Sequence, residues 1–261
     1  TLDLNFAATK VLDDRITFRR DSRGTFVDDV GIVRIAAKNA PRFDHDPTTG
    51  ESLGLMIEES RTNQLQQHNG SYSGNYRQTD RGLNTTGPDG VANSAREFTP
   101  NSNQPTGGST LIVGSGNFGV NGTTKSWSCF LKVTRSDTIA FQMMDNSNGL
   151  TSDVYQLYAD GRNAALQSTG SSGSVTVDEY PNGWYRFKWQ GFVGSSSDAS
   201  YLQIYAQAHA STDGTTVGYA IWGQTFETGA YSTSPILTTG ASETRAQDTA
   251  KITGSNFTDF Y

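Results

Sequence analysis

The sequence predicts an all-β fold: an antiparallel β-sandwich of jelly-roll type, preceded by an extended N-terminal arm or small β subdomain. Three observations predict it. Between residues 125 and 228, short segments alternate polar and apolar residues and recur at roughly 8–12-residue intervals, the rhythm of a sandwich or barrel. Asp160-Gly161, Asn182-Gly183 and Asp213-Gly214 supply tight-turn chemistry between such segments. Glycine is frequent, 28 of 261 residues, and no long stretch of helical period competes with the strand pattern.

Residues 1–65 form the arm or subdomain. Residues 15–19 alternate as a short strand, and Gly24 and Gly31 punctuate the next segments. Asn39-Ala40-Pro41-Arg42 and Asp46-Pro47-Thr48-Thr49-Gly50 carry turn residues, and residues 53–58 make a compact apolar strand. Nothing in this stretch buries a large core alone, so it is expected to dock on something. Residues 66–250 form the sandwich. The polar stretch 66–86 reads as loop, and residues 91–98 as the first strand. Residues 126–133 place Trp127, Cys129, Leu131 and Val133 on one face, because side chains alternate along a strand. Further strands are expected at 138–144, 153–158, 174–177, 183–189, 200–207 and 217–224. Tyr185, Phe187 and Trp189 share the core face of their strand, which leaves Trp184, Arg186 and Lys188 as a solvated rim. Residues 251–261 read as the start of a C-terminal extension or linker, and the chain is expected to continue beyond its aromatic end.

Charge and apolar content exclude several classes. Lys+Arg number 20 against 26 Asp+Glu, a net charge of −6, which argues against a nucleic-acid partner needing a basic face. No apolar run reaches the ~18 residues of a membrane span, so no membrane insertion is expected. Aromatics at 11% argue against charged disorder. Thr1 opens the chain without a charged, then apolar, leader, so no secretory signal is expected. Cys129 is the single cysteine, which excludes an internal disulfide and suits a small buried hydrophobe.

Catalytic motifs do not emerge. There is no Gly-x-Ser-x-Gly elbow, no His-Glu-x-x-His and no phosphate-binding glycine loop. Glu58-Glu59 and Asp28-Asp29 are adjacent acids, which on a strand face opposite sides and cannot flank one glycosidic bond. Asp44-His45-Asp46 precedes Pro47 and reads as a stabilised turn rather than a metal site. The expectation is a non-enzyme with no catalytic residues, no metal and no cofactor.

A polar-aromatic pattern is more informative. Along residues 201–207, Leu202, Ile204 and Ala206 take one face, and Tyr201, Gln203, Tyr205 and Gln207 the other. Mid-strand glutamines recur beside large side chains: Gln142 near Met144, Gln156 near Tyr158, and Gln224 between Trp222 and Phe226. Aromatic faces with amide donors and acceptors suit a sugar ring, a wet subunit interface, or a sheet covered by the chain's own loops. Tyr201, Gln203, Tyr205, Gln207, Trp184, Trp222 and Gln224 are therefore candidates for carbohydrate binding or subunit contact.

Several phrases resemble a family of bacteriophage virion proteins of the tail-fibre and head- or tail-appendage kind. Leu2-Asp3-Leu4-Asn5-Phe6, Arg15-Ile16-Thr17-Phe18 and Ala40-Pro41-Arg42-Phe43-Asp44 carry the N-terminal part. Leu53-Gly54-Leu55-Met56-Ile57-Glu58-Glu59-Ser60-Arg61-Thr62-Asn63 is its most specific run. Gly183-Trp184-Tyr185-Arg186, Trp222-Gly223-Gln224, Glu227-Thr228-Gly229, Thr233-Ser234-Pro235-Ile236 and Thr244-Arg245-Ala246-Gln247-Asp248 resemble the later part. Pro235 stands where the family often has an aromatic, and Thr225-Phe226 replace a more usual apolar pair. The resemblance implies a concanavalin- or carbohydrate-binding-module-like jelly roll in a non-enzymatic virion structural protein. It implies a homo-oligomer, a trimer by the habit of fibres, with other virion proteins and a host-surface glycan as partners. The location it implies is the particle exterior, after synthesis in the host cytoplasm. The alternative is the glycan-binding module of a polysaccharide-degrading tailspike or secreted glycosidase.

Overall fold

Alternating sequence makes strands here, and the strands pair into two six-stranded antiparallel sheets. A computed structural model of the chain describes residues 4–69, 75–76, 78–100, 109–116, 123–134, 138–145, 154–158, 166–168, 174–193, 200–208 and 218–258. The N-terminal part holds α1 (Phe6–Thr9), β1 (Thr17–Arg19), β2 (Gly24–Val27), β3 (Val33–Ala36), β4 (Phe43–His45), β5 (Ser52–Leu55) and β6 (Arg61–Asn63). The sandwich comprises first β7 (Asn75–Tyr76), β8 (Gln78–Thr85), β9 (Ala95–Pro100), β10 (Ser109–Gly116), β11 (Thr124–Val133) and β12 (Thr138–Asp145). It continues with β13 (Val154–Tyr158), β14 (Leu166–Ser168), β15 (Ser174–Tyr180), β16 (Trp184–Val193), β17 (Ser200–Ala208) and β18 (Tyr219–Thr228). β19 (Glu243–Arg245), β20 (Thr249–Lys251) and α2 (Ser255–Thr258) close the chain.

One sheet runs β14-β13-β12-β17-β10-β7 and the other β15-β16-β11-β18-β9-β8. From β9 to β12 the chain alternates between sheets, and from β16 to β18 it does so again. β9 pairs β18, β10 pairs β17, and β11 pairs β16, all antiparallel. That nesting of early strands against late ones is a hairpin rolled up into a jelly roll. The all-β sandwich predicted from alternation is what the chain forms. Within the described residues, the expected strands form as β11, β12, β13, β15, β16, β17 and β18. The turn expected at Asn182-Gly183 joins β15 to β16 with φ of 63° and 74°, the left-handed backbone such a turn requires. Asp160-Gly161 and Asp213-Gly214 lie outside the described residues.

One expectation changes. The stretch 66–86 contains β8, which pairs β9 across two register shifts, between Asp80 and Gly82 and between Leu83 and Thr85. Bulges on a polar edge strand erase the period-two signal while leaving enough ladder to hold the strand. Of the two forms expected of residues 1–65, arm or small subdomain, the described residues 4–65 take the second. They pair with the end of the chain, β1 with β20 and β6 with β19, and form a lobe that docks on the chain's own sandwich.

The lobe changes what the second sheet buries. One face carries Trp127, Cys129, Leu131, Tyr185, Phe187 and Trp189, all buried as expected. The opposite face is also buried, because Val27 and Val33 of the lobe close over Phe130, Tyr180, Trp184, Ala220 and Trp222. The ring of Phe130 stands edge-on to Tyr180 at 4.9 Å and to Trp222 at 5.4 Å, a favourable aromatic geometry. Burial pushes the Cys129 thiol up to about 12, so it behaves as an apolar filler.

Candidate functional site

β18 decides which residues face the lobe. Phe130 pairs Trp222 and Ser128 pairs Thr225, so three steps on β18 oppose two on β11. The extra residue sits at Gly223, whose φ of 64° marks a bulge. Beyond it the faces exchange: Phe226 joins the face of Trp127, while Thr225 and Glu227 turn towards the lobe with Trp222. Simple parity from the sequence puts Trp222, Gln224 and Phe226 together, and the bulge breaks that grouping.

The predicted candidates divide accordingly. Trp184 and Trp222 are each 1% exposed and Gln224 0% exposed. The Trp184 indole N–H donates to the Thr86 carbonyl at 3.2 Å, and Trp222 meets the His68 ring edge-on at 5.8 Å. This corrects their candidacy for a surface role: side chains sealed inside their own chain meet neither a sugar nor a second subunit. The expected rim is corrected too, since Arg186 is 7% exposed and Lys188 pairs Asp178 at 2.6 Å beside the lobe. Tyr201, Gln203, Tyr205 and Gln207 lie on β17, whose side chains are outside the described residues. Its backbone register sets Tyr205 opposite Gln142 and Thr110, and Gln203 opposite Met144 and Ile112.

The most specific sequence phrases meet in a buried ion network. Asp248 takes Arg20 at 3.0 Å through one oxygen and Arg42 through the other. The second oxygen also accepts the Glu58 amide at 2.9 Å, and the Asp248 amide donates to the Glu58 carbonyl at 2.9 Å. The Glu58 carboxylate receives Arg42 at 2.7 Å, Arg245 at 3.3 Å and the Ser234 amide at 2.7 Å. Burial works to raise Glu58, but Arg245, Arg42 and the Ser234 bonds prevail and hold it below the usual carboxylate range. Glu227 ends differently. Burial raises it, outweighing the Thr233 amide at 2.9 Å and the nearby guanidiniums. Asn63 completes the set. Its amide nitrogen donates to the Gln224 and Ile236 carbonyls, both at 2.8 Å, and its oxygen accepts from Leu65 and Phe226. Every polar position of that amide is used to hold β18 beside β6 and the 236 loop.

Next to this network a cavity of about 350 Å³ opens between the lobe and the β15–β16 edge. Asp44, His45, Asp178, Arg186 and Lys188 bring polar groups to it, and Phe26, Leu53 and Met56 bring apolar ones. Asp44 accepts the Val27 amide at 2.7 Å, and burial raises its pKa despite that bond and the charge of Arg42. His45 is 5% exposed, and its Nδ1 lies 3.0 Å from the Val27 carbonyl. A carbonyl only accepts, so Nδ1 carries a proton, and in the neutral ring the other nitrogen, Nε2, is an acceptor. That Nε2 has no hydrogen-bond partner among the described residues. The neighbouring Asp46 does cap a turn, accepting the Thr48 and Thr49 amides at 2.9 and 2.7 Å. The turn chemistry was legible, whereas the placing of His45 against a cavity depends on β15 and β16, more than a hundred residues away.

Among the described residues no group of three His, Cys, Asp or Glu is placed to hold a metal, and no helix is long and apolar enough to cross a membrane. No family model matches the chain, and no curated protein matches it.

Proposed function

We propose that the chain is a non-enzymatic structural protein of a bacteriophage particle, a fibre, appendage or decoration component that assembles with copies of itself and with other virion proteins. The observation that supports this most is where the resembling phrases fall. Glu58 and Asn63 from one, and Arg245 and Asp248 from the other, spend their polar atoms on each other and on backbone. Such residues define a fold rather than perform a reaction, because they leave no nucleophile, acid or base directed at a substrate. An all-β module whose polar signature is structural suits a scaffold displayed in many copies, where weak glycan contacts add up through avidity.

Antibody labelling of purified particles, read by electron microscopy, tests the reading. The expected result is gold at one recurring position on the particle, with the isolated chain running as a homo-oligomer in light scattering. Particles that never label, from cells making the chain, would overturn it. Incubation with capsule or lipopolysaccharide provides the counter-test. A fall in polymer size would favour the depolymerising tailspike.

A further inference from the structure

We infer that the cavity between the lobe and the β15–β16 edge is a saccharide-binding site that takes one terminal sugar ring of a glycan. The inference rests on the attachment role proposed above and gives it a place. Its volume, about 350 Å³, falls at the small end of the roughly 300–1,000 Å³ typical of small-molecule sites.

The wall chemistry selects the ligand class. Asp44 and Asp178 bring carboxylate acceptors to the wall, so the occupant must bring donors. Asp44, Asp46, Glu58 and Asp178 line the same space against the cations Arg186 and Lys188, an excess of negative charge that disfavours a carboxylate or phosphate. Lys188, held at 2.6 Å by Asp178, supplies a fixed donor in return, as sugar oxygens require. Phe26, Leu53 and Met56 border the opening with apolar surface that suits the C–H face of a ring. Hydroxyls that both donate and accept, on a ring with an apolar face, satisfy all of these together. His45 lines the same space with a ring that is 5% exposed. No residue of β17 lines the cavity, so the two are separable.

Saturation-transfer NMR on the full chain tests it, with D-glucose, D-galactose, N-acetyl-D-glucosamine and L-rhamnose as probes. At least one should receive saturation. Its binding should weaken at least tenfold in Asp178→Asn and in Lys188→Gln, half-exposed positions that spare the core. Near-UV circular dichroism confirms that both variants keep the fold, and His45→Phe adds a buried test. Tyr205→Ala should bind as the parent does. Transfer to none of the four sugars overturns the inference, as does transfer that survives all three cavity substitutions. Binding lost only in Tyr205→Ala moves the glycan face to β17. In each of these cases the particle-labelling result still stands on its own, so failure of the cavity is distinct from failure of the virion role.

Discussion

Asp248 holds two guanidiniums and a backbone amide at once, and that concentration of partners sets what its loss would do. Asp248→Ala leaves buried Arg20 without its counter-charge and buried Arg42 with Glu58 alone. Removing one partner of a buried pair costs about 3–5 kcal/mol, so urea denaturation should show a loss of that order. The two glutamates respond to pH with opposite sign. Glu58 is held below its ordinary value of 4.5, so its contribution is present above that pH and lost as the pH falls through the lowered value. Glu227 is held above 4.5, so its ionisation disfavours the folded state as the pH rises from there. Comparing stabilities at pH 7 and pH 4, the parent's advantage over Glu58→Gln should shrink on acidification. Glu227→Gln should gain on the parent as the pH rises. Equal slopes for the two variants would contradict this. The sequence contains these residues, all but Arg20, in recognisable phrases, but not their function. Glu58 and Asp248 stand 190 positions apart, and only the pairing of β6 with β19 brings them together.

At the scale of the element, the bulge on β18 carries the most. Gly223 combines a φ of 64° with a position where an added Cβ would sit 3.0 Å from the Phe130 ring. Gly223→Ala therefore costs about 1–2 kcal/mol for the left-handed backbone alone, and more for the displaced ring. The thermal midpoint should fall, and the near-UV spectrum should change where Phe130, Tyr180 and Trp222 pack. An unchanged midpoint would mean that the bulge is not needed to turn Glu227 towards the lobe. The glycine inside an alternating run was the available sign of an irregularity, whereas its consequence, the exchange of faces after it, is not a sequence property. The same holds for β8, hidden by its polar residues and two register shifts. The alternation of β11 from Ser126 onward and of β16 up to Gln190 was legible, because the pleat imposes it residue by residue.

At the scale of the molecule, the lobe and the sandwich share one core, which argues for a single folding unit. Val27 and Val33 belong to the same apolar cluster as Trp184 and Trp222, and Thr25 donates its hydroxyl to the Pro235 carbonyl at 2.6 Å. Gly31 packs so tightly against Pro47 and Pro181 that an added Cβ would come within 2.4 Å of the Pro47 carbonyl oxygen. A boundary at residue 65 is natural in composition yet cuts through these contacts. A chain of residues 66–261 would expose the face of Trp184 and Trp222 and leave Arg245 and Asp248 without Glu58, Arg20 and Arg42. It should therefore fail to reach a native near-UV spectrum, with tryptophan emission shifted to the red of the full chain. The full chain should unfold in one transition, seen at the same denaturant concentration by fluorescence and by far-UV circular dichroism. Two separated transitions, or a truncated chain with native emission, would show that the sandwich stands without its lobe. The cavity at their seam would then form only after docking, instead of being built in as the chain folds.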